Sequence, residues 1–115
     1  MQNLDQIRAA NALDAAARVS RKAVSKLPAM IVNNGLLAAA AFAKDKSEEL
    51  LGAMNAVAAH LADRRIGRLP EASGTTDALL RHLVSPAVGS DRLRLATSEA
   101  LAYLSYLKRF ANRGD

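Results

Sequence analysis

Residues 26–44 read KLPAMIVNNGLLAAAAFAK, two lysines bracketing a run that carries no charge at all. A stretch this apolar has to be buried, and its length, alanine content and lack of strict alternation predict a helix rather than a strand. Apolar residues fall on nearly every side of that helix, so it is expected to be enclosed by other helices. Gly35, at its middle, costs about 1 kcal/mol against alanine inside a helix, which points to another backbone passing close by. A membrane span is the rival reading of an uncharged run. Pro28, Asn33, Asn34 and Gly35 interrupt it, however, and it falls short of the roughly 20 apolar residues a span needs.

The remaining composition agrees with a helical core. Of 115 residues, 50% are hydrophobic but only 3% aromatic, so alanine and leucine must fill the interior of one domain, residues 1–115. Strand-type runs of Val, Ile, Thr and aromatics are missing, and the turn signals separate long helix-type segments. The expected fold is all-α, a single compact bundle of about five helices with a buried, uncharged second helix. The absence of cysteine excludes a disulfide framework, a thiolate metal site and a cysteine nucleophile. The opening MQNLDQIRAAN has neither the apolar core of a signal peptide nor the acid-free composition of a transit sequence, so a cytoplasmic location is expected.

Charge is unevenly distributed. Residues 1–44 hold six Lys and Arg against two acids, residues 45–91 five against seven, and residues 92–115 five against two, giving +4, −2 and +3. Terminal helices lying side by side would present one basic surface to a polyanion.

The first helix is predicted over residues 4–25, since Pro28 disfavours helix at Leu27 and suits the first turn of the next. At 100° per residue its core arc comprises Ala9, Leu13, Ala16, Ala17, Ser20, Ala23 and Val24, with Arg8, Arg18, Lys22 and, if the helix reaches it, Lys26 grouped opposite, for which a solvated face is the plainer reading. Leu4 and Ile7 fall on the basic side and not with the core arc, so either the first turn bends away or these two touch a partner. Asp45 and Glu48 read as a capping box that starts a third helix with a buried stripe of Leu50, Met54, Val57 and Leu61, ended by Gly67. Residues 68–74 read as a loop. A short helix follows over 76–84 with Thr75 as its N-cap, stopped by Ser85-Pro86. The last helix, residues 91–112, carries Leu93, Thr97, Ala100, Leu104, Leu107 and Ala111 in alternating steps of four and three, a seam like that of a coiled coil. Leu95, Ala102 and Tyr106 lie away from that seam, so this helix is either sandwiched on two sides or offers an apolar strip for association, and association is the preferred reading.

Little in the sequence points to catalysis. His60 and His82 have no acid or cysteine at ligand spacing, so each reads as a surface or half-buried histidine, and no metal or cofactor is expected. The glycines are isolated and none opens a phosphate-cradling loop. A helix-turn-helix DNA-binding regulator is the alternative for a small basic helical chain, with residues 76–84 and the last helix as the pair. That last helix opens SDRLRLAT and soon becomes a core seam, which suits recognition poorly. With Phe42 assigned to the core, aromatic platforms for bases are scarce, so nucleic-acid contact is expected at phosphates through Arg18, Lys22, Lys26, Lys44, Lys108 and Arg109.

Two segments carry a family resemblance. One is Lys26-Leu27-Pro28 with Ile31, Asn34-Gly35-Leu36, Ala41-Phe42 and Lys44; the other is Thr97-Ser98-Glu99-Ala100-Leu101 running into Leu104 and Leu107-Lys108-Arg109-Phe110-Ala111. In order and separation they resemble the small subunit of the Cmr-type, or type III-B, CRISPR effector complex. The chain departs from that family at Ala39-Ala40, where Thr-Leu is usual, near Leu93, where an aromatic is usual, and at Tyr106, often a Trp. The resemblance implies a non-catalytic helical subunit of a ribonucleoprotein in antiviral defence. Its partners would be the other subunits of the complex, copies of itself stacked along the backbone subunits, and the guide and target RNA. No membrane is implied. The interface residues expected on this reading are Leu4, Ile7, Leu95 and Tyr106. A protein–protein adaptor without nucleic acid is the further alternative.

Overall fold

Asn3 opens the first helix with a capping box: its side chain accepts the Gln6 N–H at 2.9 Å, and the Gln6 side chain takes the Asn3 N–H at 2.9 Å. This helix, α1 (Leu4–Ala16), stops well short of residue 25 in the computed structural model, which describes residues 3–111. A turn follows, and Ser20 starts α2 (Arg21–Asn34) by accepting the Ala23 N–H at 3.2 Å. Pro28 therefore lies inside α2 rather than at the head of a helix. It forgoes one backbone hydrogen bond there, and the fully buried Leu27 and Ile31 on either side offset that loss at about 1.5–3 kcal/mol each.

The uncharged run is two helices and not one. Gly35 separates α2 from α3 (Leu36–Lys46), its N–H closing α2 on the Ile31 carbonyl and its carbonyl accepting from Ala39 to open α3. It stands at φ 91° and is exposed, with nothing within 4 Å of the position a Cβ would take, so the expected close helix crossing does not exist. Nor is the run enclosed on all sides. Val32 and Phe42 face outward at 68% and 49% exposure, which corrects the placement of Phe42 in the core.

Ser47, and not Asp45, caps α4 (Glu48–Ala62) by accepting the Leu50 N–H at 3.1 Å, because α3 continues through Lys46. The stripe of Leu50, Met54, Val57 and Leu61 is buried as expected. Gly67 takes φ 64° in the turn beyond α4 and donates to the Asp63 carbonyl. The loop of residues 68–74 contains a 3₁₀ turn, Glu71–Ser73. Thr75 caps α5 (Thr76–Leu83), and α6 (Ser90–Phe110) carries the expected seam, with Ala100, Leu104 and Leu107 fully buried.

The fold is all-helical among the described residues, with six α-helices where about five are expected: the split at residues 17–20 and the joint at Gly35 add two breaks, and the break expected near Pro28 is absent. One cluster of buried alanine, leucine and valine joins the helices, with α4 and α6 inside it, α1 packed mainly on α6, and α3 on α4. The core face of α1 is Ile7, Ala12 and Ala15, while Leu13 is 60% exposed. The break at 17–20 explains the reversal. An arc drawn through Ala23 and Val24 takes its phase from α2, which begins anew, and so points α1 the wrong way.

Candidate functional site

The most densely connected polar group among the described residues lies between α1, α4 and α6. Arg8 and Asn11 come from α1, His60 from the last turn of α4, Asp63 and Arg65 from the turn beyond it, and Glu99 and Tyr103 from α6. The Arg8 guanidinium grips Glu99 with two prongs, Nε to Oε2 and Nη2 to Oε1, both at 2.7 Å. His60 is only 2% exposed and stacks on Tyr103 with ring centroids 4.1 Å apart. Its Nε2 meets Glu99 Oε2 at 2.9 Å and its Nδ1 meets Asn11 Nδ2 at 3.0 Å. The second amide hydrogen of Asn11 goes to Asp63 Oδ2 at 3.0 Å, and Arg65 donates to the same carboxylate at 2.8 Å.

These distances assign the protons. Burial pushes the His60 pKa below its ordinary value, outweighing the opposing pull of Glu99, so the imidazole is neutral. Burial tends to raise Glu99, but its hydrogen bonds to Arg8 and His60 together hold it below the ordinary carboxylate value and keep it ionised. An ionised Glu99 accepts from Nε2–H, which leaves Nδ1 to accept from Asn11. Hydrogen bonds from Arg65, joined by that from Asn11, hold Asp63 far below its ordinary value against the effect of burial. His60 is therefore neither a surface histidine nor an isolated one. A pocket of 160 Å³ lies beside it, with Asp14 and Arg18 among its lining residues, but the polar groups at its back are already bonded to one another.

Sequence reasoning missed this cluster because its members are 39 to 92 positions apart wherever they cross between helices. One signal was available. Glu99 lies among Ala96, Ala100, Tyr103 and Leu104 on the buried side of α6, and a carboxylate there requires a partner.

The six cations expected to meet phosphates occupy several elements. Arg18 lies in the turn after α1, donates to the Asp14 carbonyl at 2.9 Å, and shares a shallow pocket with Glu48 and Glu49. Lys22 and Lys26 are exposed on one face of α2, four residues apart, and Lys108 and Arg109 are exposed in the last turn of α6, against which α2 packs. Lys44 is drawn toward α5 by an ion pair with Asp77, whose carboxylate also receives Arg81. Arg8, placed by the sequence on the same basic side, is instead committed to Glu99.

Of the residues expected to touch a partner, Leu4 and Leu95 are exposed and Tyr106 is half-buried beside Phe110 at 6.5 Å. Ile7 is a correction. At 5% exposure it belongs to the core face of α1 and cannot meet a partner while that helix is docked. Among the described residues no helix is long and apolar enough to cross a membrane, and no group of three or more His, Cys, Asp or Glu is placed to hold a metal ion.

A profile of the family described as CRISPR-associated protein (Cas_Cmr5) matches residues 3–113. No curated protein matches the chain, and no solved structure does. Both segments that carry the resemblance fall within the matched range: Asn34-Gly35-Leu36 is the α2–α3 joint, and Glu99 is the carboxylate that receives Arg8 and His60. Matched over nearly its whole length, the chain belongs to the Cas_Cmr5 family of CRISPR-associated proteins, the small subunit of the type III-B effector complex.

Proposed function

We propose that the chain serves the type III-B complex as a non-catalytic subunit that stacks with copies of itself and contacts target RNA through phosphates. The family match over residues 3–113 carries this reading. The non-catalytic part is supported by the chemistry of His60, whose two ring nitrogens are both engaged in tying helices together, leaving none for proton transfer to a substrate. The RNA part is supported by Lys22 and Lys26 on α2 and by Lys108 and Arg109 on α6, exposed cations on two helices that pack together. The ion pair of Lys44 with Asp77 is half-exposed on both sides and worth at most about 1 kcal/mol, so a phosphate can displace the carboxylate.

Charge reversal at Arg18 and Lys22 tests the reading in the assembled complex. RNA capture should weaken alike for all sequences, and the slope of log affinity against log salt should fall by about 0.7 for every phosphate of a single strand that the variant no longer neutralises. Equal capture by variant and parent across a salt series would leave this face as solvated charge and favour an adaptor that touches only protein.

A further inference from the structure

A second basic site, distinct from that face, lies where the segment after α4 meets α5 and the first turn of α6. The groove has a volume of 460 Å³, within the range of small-ligand sites, and Arg68, His82 and Arg92 converge on it with Leu69, Pro70 and Leu95. No carboxylate among the described residues lines it. The nearest acids in sequence are turned to other arginines: Glu71 pairs with Arg64 at 2.8 Å, and Asp91 with Arg94 at 2.6 Å. Among the described residues, Arg68, His82 and Arg92 have no ion pair or side-chain hydrogen bond, whereas the arginines flanking them in sequence are paired.

The groove is also preformed. The N–H groups of Arg68 and Leu69 both donate to the Leu61 carbonyl at 3.0 Å, which ties the segment to the end of α4, and Leu69 is buried beneath it. Arg92 and His82 stand on helices. Two guanidinium forks and an imidazole N–H carried on three elements, with no carboxylate among the described lining residues, suit the oxygens of a phosphate. Leu95, 46% exposed, and Pro70 supply an apolar wall alongside.

We propose that this groove recognises the phosphate of a nucleotide, with Arg68 and Arg92 holding the phosphate oxygens, His82 donating a further hydrogen bond, and Leu95 with Pro70 covering an edge of the base or sugar. A free mononucleotide offers these donors the terminal oxygens of a monoester, and a strand offers the non-bridging oxygens of its diester linkages. None of the six cations assigned to the RNA face lines the groove, so the two proposals stand or fall separately.

Backbone amide shifts of the full chain, titrated in parallel with AMP, a single-stranded oligouridylate and a glutamate-rich peptide, test the proposal. With AMP or the oligonucleotide, the amides of Gly67, Arg68, Leu69, His82 and Arg92 should shift saturably, and affinity should fall about tenfold for each of Arg68→Gln and Arg92→Gln. Lys22→Glu should leave the AMP titration unchanged. Saturation by both ligands places the recognition in the phosphate unit itself, and saturation by the oligonucleotide alone identifies a strand as the source. The proposal is overturned if only the peptide saturates these amides, if neither nucleotide ligand does, or if a variant carrying both Arg68→Gln and Arg92→Gln binds as the parent does.

Discussion

At Gly35 the backbone takes φ 91° and ψ 158°, a region that glycine alone occupies without strain. The residue is therefore required for its torsion and not for its small size. Gly35→Ala and Gly35→Leu should each destabilise the fold by about 1–3 kcal/mol, and by nearly equal amounts, because nothing beyond the adjoining residues of the chain lies within 4 Å of the Cβ position. Thermal melts of the two variants side by side check this. A much larger loss for leucine would mean that a neighbouring backbone crowds the joint after all.

Among the elements, α1 has the smallest apolar anchor of the longer helices, with Ile7, Ala12 and Ala15 buried, and it depends on Arg8 and Asn11 to hold it to α6 and α4. That attachment is sensitive to acid. His60 folds with a pKa below its ordinary 6.5 and Glu99 with one below its ordinary 4.5, so over the range beneath each ordinary value the unfolded chain binds a proton that the folded chain does not. Stability from both groups is present above those values and is lost as pH falls through the folded ones. Protonated His60 would also direct an Nδ1–H at the Asn11 amide hydrogens, and turning that amide over would bring its oxygen against Asp63. The melting midpoint should therefore fall as pH is lowered from neutral through 6.5. His60→Gln should melt lower than the parent at neutral pH and lose the part of the pH dependence centred on the histidine. An unchanged pH profile in that variant would assign the acid sensitivity to the carboxylates alone.

For the whole molecule, the apolar residues left outside are the features that a monomer does not use. Leu4, Leu13, Val32, Val84 and Leu95 are exposed, and Tyr106 with Phe110 forms an aromatic pair at the end of α6. Tyr106 borders a cleft with Asp5, Arg8 and Arg109, where apolar and charged groups alternate as they do at the rim of a modest interface. Tyr106→Glu should keep the helical fold, since the side chain is only half-buried, and should reduce incorporation of the subunit into the assembled complex. Co-purification with the other subunits gives the readout. Normal incorporation would make the pair internal packing of α6 and remove the support that Tyr106 lends to self-stacking.

How far the sequence carried depended on the range of the interaction. The all-helical class, the stripe of Leu50, Met54, Val57 and Leu61, the Thr75 cap and the seam of α6 were legible because each follows from residues within a few turns of one another. The two motifs that identify the family are local in the same sense. Breaks at Ser20 and Gly35 were harder to read, since a capping serine inside an alanine-rich run and a glycine between apolar neighbours are equally compatible with a continuing helix until tertiary packing selects the bend. The phase of α1, the burial of His60 and the partner of Glu99 lay beyond any local rule. They depend on which helix α1 packs against, and a bidentate ion pair between residues 91 positions apart exists only after the core has brought their helices together.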